Sequence, residues 1–338
     1  MKNLFRIGFA SLCMLAFFSC NKEENPDMVN SGEILVSFEA GPLEIAPESK
    51  VLAGELTGGK YPMSWENGDQ ISIIFHNAAA AAGEPSEEHV VNNSKRYFTT
   101  TGDGKFTGML DLNELSVPGG EKLINDKIAP SDLACLMVYP ATDLTVSSTS
   151  IQDSANSSFY YYEVTGAEIA EVQDGTGWPY CYFTSLYGSF GRSWKGFSGT
   201  RKFVLSNTLL RFNLVGSEKD IKNIKIETNN PQFVGPVTFW MGLKNTTEYA
   251  NTGGSPYQYF KAGGDVKVLN IRKDDNSALP DDIWFACCKG LETGKTLKFT
   301  FTSTDDKTCV VESSAPKWMG NPKVYNLGEL NLAGAVWE

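Results

Sequence analysis

Leu297-Lys298-Phe299-Thr300-Phe301-Thr302 alternates apolar and polar side chains without a break. A strand turns successive side chains to opposite faces, so Leu297, Phe299 and Phe301 are expected to face a core while Lys298, Thr300 and Thr302 face water. Helical period is hard to find anywhere, and the alanine run from Ala78 to Ala82 is too short to hold a helix by itself. Outward from 297–302, β-rich runs separated by Gly, Pro, Asn and Asp recur along the chain. One series comprises 34–38, 70–75, 106–110, 133–139 and 159–164. A second comprises 203–205, 209–215, 221–227, 237–240, 266–271, 283–287, 296–302, 309–312 and 324–332. Between them lie Gly188, Gly191, Gly196 and Gly199, which mark a boundary. Turn signals every 8 to 12 residues or so favour a pair of antiparallel sandwiches over one large barrel. The fold class expected is all-β, with an N-terminal β-sandwich over 33–198 and a C-terminal one over 199–338.

The start of the chain is of another kind. A short basic end, an apolar run from Ile7 to Phe18, and Ser19-Cys20 lead into Asn21-Lys22-Glu23-Glu24. This is the pattern of a lipoprotein signal peptide over 1–19, an address and not part of the fold. The apolar run falls short of the about 20 residues that a permanent membrane helix needs. Lipidation is expected at Cys20, although Phe17 and Phe18 stand where Leu and a small residue are commoner. The rival reading is an ordinary secretory signal with an incidental Cys. Acyl chains contribute about 0.8 kcal/mol per buried CH₂, so the mature chain would be anchored to a membrane without spanning it. Residues 20–32, rich in Asn, Glu, Pro and Asp, read as a flexible tether. Lys22-Glu23-Glu24 resembles the Lys plus acidic-pair signal that directs lipoproteins of Bacteroidetes-type bacteria to the outer face of the outer membrane.

The 319 residues after position 19 carry 27 Lys and Arg against 40 Asp and Glu, a net charge of −13. Nucleic acid and anionic membrane surfaces both demand clustered Lys and Arg, so neither is expected as a ligand. Nothing after residue 20 is apolar for long enough to span a membrane. Cys135, Cys181, Cys287, Cys288 and Cys309 cannot all pair within one chain and show no CxxC spacing. They read as buried free thiols and not as a disulfide framework or a zinc site.

No catalytic constellation, cofactor site or metal site is expected. Only His76 and His89 exist, too few for a triad or an HExxH site. Gly290 to Thr296 imitates a phosphate loop, but it is one residue short and runs into a strand where the motif needs a helix. Asp274-Asp275, Asp281-Asp282 and Asp305-Asp306 fall in polar turns, where solvated loops and calcium ligation both remain open.

Several small signatures then occur in order. Trp65-Glu66-Asn67-Gly68-Asp69-Gln70-Ile71 holds a W-x-x-G-D-x-I pattern in which Asn67-Gly68 makes a tight turn, Asp69 closes an Asx turn and Trp65 pins the hairpin to a core. Leu136-Met137-Val138-Tyr139-Pro140 is an apolar strand ending in Tyr-Pro. Asn207 to Leu214, then Ile221 to Glu227, Gly235-Pro236-Val237, and finally Pro322 to Leu327 with Leu330-Asn331-Leu332 complete the set. In shared order and spacing over most of 31–338, these resemble the fimbrillin family, the fimbrial subunits and related surface lipoproteins of Gram-negative gut and oral anaerobes.

That resemblance implies two tandem transthyretin-like sandwiches and a role as a fimbrial structural subunit or adhesin, on the cell surface or in a fimbrium, and not as an enzyme. It implies partners too: other fimbrial subunits joined by β-strand donation, after a protease cuts behind a basic residue and frees the first strand. Here that strand would be 34–38, and the nearest basic residue is Lys50, which read alone is a loop lysine. No Arg occurs between Arg6 and Arg96, so an Arg-specific protease has nothing to cut. Cutting at Lys50 or Lys60, an uncut anchor subunit and an uncut surface lipoprotein all stay open. The donor would be the C-terminal run, with Leu327, Leu330, Leu332 and Val336 as groove fillers, its alternative being an ordinary edge strand.

A rival function comes from the aromatics at Phe159 to Tyr162, Trp178, Tyr180, Tyr182, Phe183, Tyr187, Phe190 and Trp194. If Trp178, Tyr180 and Trp194 stood coplanar and exposed, the chain would read as a surface glycan-binding lipoprotein, although sandwich cores also need large aromatics. Asp153-Ser154-Ala155 matches the three-residue acceptor for O-glycosylation in this bacterial group, at Ser154.

Overall fold

A computed structural model describes residues 33–41, 43–45, 61–77, 96–111, 133–154, 157–187, 196–230, 232–242, 260–262, 265–288, 291–314 and 324–338. Nearly all of the regular structure among them is β. The chain opens with strands of a single sheet: β1 (Glu33–Ala40), β2 (Leu43–Ile45), β3 (Tyr61–Met63), β4 (Asn67–Asn77), β5 (Arg96–Thr101), β6 (Lys105–Asp111) and β7 (Leu133–Tyr139). It leaves that sheet for β8 (Thr145–Ser154), β9 (Ser157–Ile169) and β10 (Val172–Gln173), then makes a 3₁₀ turn at Trp178–Tyr180. It returns for β11 (Phe183–Tyr187), β12 (Gly196–Arg201) and β13 (Val204–Leu205). The rest comprises β14 (Thr208–Val215), β15 (Ile221–Thr228), β16 (Gly235–Gly242), β17 (Phe260–Ala262), β18 (Val268–Arg272), β19 (Asp282–Cys287), β20 (Thr296–Ser303), β21 (Thr308–Ser314) and β22 (Val324–Asn331).

The first sheet has the order β12-β1-β6-β5-β4-β7-β11-β13-β2-β3. Three smaller sheets follow, β10-β18-β15-β20-β21, β19-β14-β22 and β17-β16-β9-β8. Their ladders cross residue 198 in both directions. β9 pairs antiparallel with β16, β10 pairs parallel with β18, and β12 itself runs through residue 198 beside β1. Among the described residues no helix is long and apolar enough to cross a membrane.

Alternation decides burial strand by strand. On β20 Leu297, Phe299 and Phe301 are buried while Lys298 is exposed, as the period of two requires. β1 follows the same rule, with Val36, Phe38 and Ala40 in the core and Leu35 and Glu39 outside. Phe212, Phe285 and Phe299 meet edge to face behind β14, β19 and β20, at centroid distances of 6.0 and 5.4 Å. Burying each such ring stabilises the fold by about 1.5–3 kcal/mol. Gln173 ties two sheets where no ladder joins them: its amide donates to the Ala286 carbonyl and accepts from the Ala286 N–H, both at 2.8 Å.

Candidate functional site

The resemblance directs attention to the first strand, and the structure gives that strand a seat. β1 lies between β6, antiparallel from Glu33 opposite Asp111 to Glu39 opposite Lys105, and β12, parallel from Ser37 to Ala40 with a register shift. Phe38 stacks on Phe106 at 5.5 Å and leans on Phe98 at 5.9 Å. At the end of the strand, Ala40 N–H donates to Gly104 O, and just past it Gly41 N–H donates to Arg201 O, each at 2.8 Å.

The Trp65 motif closes this seat from below. Trp65 Nε1–H donates to Gly41 O at 3.0 Å, and the indole meets Phe106, Tyr139 and Phe203 edge to face at 4.8, 4.9 and 5.5 Å. Gly68, at φ +93°, makes the turn that Asn67-Gly68 announces. Asp69 accepts from Glu66 N–H at 2.7 Å and from the Tyr139 hydroxyl at 3.0 Å. Burial, and next the Asp69 charge, push the Tyr139 hydroxyl well above the ordinary phenol range. The motif is a structural joint, its Trp65, Asp69 and Gln70 side chains all hydrogen-bonded within the fold.

Were β1 withdrawn, β6 and β12 would each present a row of unpaired N–H and C=O groups flanking the emptied places of Val36 and Phe38. Such a groove binds an extended segment through main-chain bonds, and its pockets read alternate side chains. The C-terminal run is engaged within its own chain. β22 runs parallel to β14 at a sheet edge, Leu327 and Leu330 pack against the core, and Leu332 is buried. Val336 alone of the four expected groove fillers points out, at 77% exposed. Thr308 and Glu338 exchange both backbone bonds at 3.0 Å and fasten the tail to β21.

Cys20, Lys50, His89 and Trp194 lie outside the described residues. Ser154 is the last residue of β8, opposite Ser157 at the turn of the β8–β9 hairpin. Trp178 and Tyr180 both stand partly buried against the core. Trp178 lies against Trp284, centroids 5.4 Å apart, while Arg211 caps Trp284 at 4.9 Å and forks onto Asp282 at 2.7 and 3.0 Å. The Tyr180 hydroxyl instead accepts from Asp174 N–H at 3.1 Å. Trp284 escaped the sequence reading, though its outward place in the alternation of 282–285 was the available signal.

Cys135, Cys181, Cys287, Cys288 and Cys309 are buried with free thiols. Burial pushes Cys181 and Cys288 up to about 12 and raises Cys135 and Cys287 as well, so all four stay protonated and unreactive at neutral pH. The Asp pairs serve turns and ion pairs: Asp275 accepts from Ser277 N–H, Asp282 holds Arg211, Asp305 holds Lys219 at 2.5 Å, and Asp306 holds Lys222. Among the described residues no group of three or more His, Cys, Asp or Glu is arranged to hold a metal. The imitation phosphate loop leads from Lys295 straight into β20.

No protein-family model matches the chain. No curated protein matches it by sequence. Solved structures do overlap it at low identity. A candidate cell adhesion protein from Bacteroides ovatus shares 11% identity over 88% of this chain and 95% of its own, with a TM-score of 0.40. A fimbrial protein from the same organism shares 9% over 88% of this chain and 50% of its own, at 0.35. The tip fimbrial protein Mfa3 from Porphyromonas gingivalis, truncated at its C-terminus, shares 9% over 85% and 82%, at 0.32. The overlaps are loose, and the fold described above rests on the strands themselves.

Proposed function

We propose that this chain is a fimbrial subunit or adhesin displayed on the cell surface and brought there through lipid on Cys20, which an anchored form keeps and a polymerising form sheds together with β1. In this reading it is structural and carries no catalysis, and its partners are other subunits joined by strand donation. The observation that carries the reading is the seat of β1: a first strand held between β6 and β12, whose departure leaves a groove of the length and chemistry another strand would fill. The lipoprotein-like start and the ordered fimbrillin-like motifs support it from the sequence side.

Intact-mass and N-terminal analysis of protein recovered from the native cell surface tests this. A diacylated or triacylated Cys20 terminus is expected for an anchored subunit or adhesin. A terminus at Val51 or Tyr61 places the chain among polymerising subunits that have shed β1. An unacylated terminus between residues 20 and 32 removes the anchor and, with β1 retained, the strand-exchange reading too. The same spectra test O-glycosylation, since an unmodified peptide across Ser154 excludes it.

A further inference from the structure

The outer face of the first sheet changes character along β1, β5 and β6. At the Glu33 end the outward row is Leu35, 63% exposed, beside Met109, 52%, with Tyr97, 45%, continuing it by the register of β5 on β6. The next row is hydroxylic: Ser37, Thr107 and Thr99. The third is Glu39, paired with Lys105, and Thr101. Beneath all three rows the inward residues are Val36, Phe38, Phe98, Phe106 and Leu110, buried in the core, so the outward row is surplus to packing.

We infer that this end of the face rests on the lipid surface that holds the chain. The inference depends on the anchoring proposed above. Residues 20–32 would join Cys20 to Glu33, two positions before Leu35, and even fully extended they reach only about 45 Å. The apolar row is therefore the part of the described molecule delivered first to the membrane. Its polarity gradient fits an interface entered from one end, with Leu, Met and Tyr at the headgroup boundary and the Glu39–Lys105 pair in water. Three partly exposed side chains amount to a few hundred Å² at most, well under the about 800 Å² per partner of a stable protein interface. The row also lies in the middle of a sheet face, where β-strand addition has no edge to use.

Hydroxyl-radical footprinting with mass spectrometry tests this on two samples. One is the acylated mature chain in vesicles of phosphatidylethanolamine and phosphatidylcholine, and the other is the mature chain with Cys20→Ser in buffer. Met109 and Tyr97 are expected to label several-fold more slowly in the vesicles, while Val310 and Val336 label equally in both. Replacing the row, L35S with M109S, is expected to abolish the protection of Tyr97 without loss of vesicle flotation. Equal labelling of Met109 and Tyr97 in both samples overturns the inference. So does protection already present without lipid, whether constant, which means another part of this chain covers the row, or rising with protein concentration, which means a second copy does. An acylated chain that floats while Met109 labels freely leaves the anchor standing and this face refuted. A wild-type chain recovered from the native cell surface without acyl groups refutes both.

Discussion

Gly166 sits at φ +110°, and a Cβ there would stand 1.9 Å from the carbonyl oxygen of Asp143. That oxygen is backbone, which cannot swing aside as a side-chain end can. Gly166→Ala is thus expected to destabilise the fold by about 3 kcal/mol, from left-handed strain plus overpacking, read as a lower urea midpoint with an unchanged slope. A different residue governs the acid limb. Lys219, and then Ser303, hold the Asp305 carboxyl down at about 2 from an ordinary 3.8. A depressed carboxylate contributes stability above its unfolded value and loses it as pH falls through the folded one. Melting curves of wild type and Asp305→Asn are therefore expected to differ at neutral pH and to converge between 3.8 and about 2. Because Asp305 is exposed, the neutral-pH difference will be small and will shrink in salt.

At the scale of elements, Gln173 is the clearest case of a side chain doing the work of a ladder. Its amide serves both backbone groups of Ala286, so Gln173→Leu leaves two buried groups unpaired at a cost of about 1–3 kcal/mol each. Faster amide exchange at Ala286, ahead of its neighbours on β19, is the expected signature. Elements also show what a sequence can and cannot announce. β1, β14, β15 and β20 were legible because their inward and outward residues differ in polarity, and β4 and β7, buried on both faces over 71–74 and 135–138, because each is an apolar run of strand length bounded by turn signals. β8, Thr145-Val146-Ser147-Ser148-Thr149-Ser150-Ile151-Gln152-Asp153-Ser154, has almost no apolar alternation, and it is a strand because β9 supplies its hydrogen bonds. The two-residue β10 carries too little pattern to register at all, while β13 falls within the β-rich run 203–205. The seat of β1 was half legible. The motif around Trp65 pointed to a pinned turn, while its bond to Gly41 O spans residues that sequence spacing does not join.

For the whole molecule, the pairing pattern matters more than the count of sheets. The chain leaves the first sheet after β7, builds β8 to β10 into sheets shared with β16 and β18, and returns for β11 to β13 before continuing. Neither 33–198 nor 199–338 holds all the strands of its own sheets. Denaturant unfolding followed by tryptophan fluorescence and by far-UV circular dichroism is expected to give one coincident transition, and two separated transitions would show that the halves melt independently. Such crossing was beyond reach of a linear reading, since the glycines near residue 198 are a local signal and the ladders are not.

The position of β1 also sets how the protein meets force. A pull on the chain ahead of Glu33 acts along the strand axis, while the bonds to β6 and β12 lie across it on both sides. The two ladders then share the load and must shear together, where a strand peeled sideways would open bond by bond. A body dragged by flow against such an attachment is held by its stiffest direction.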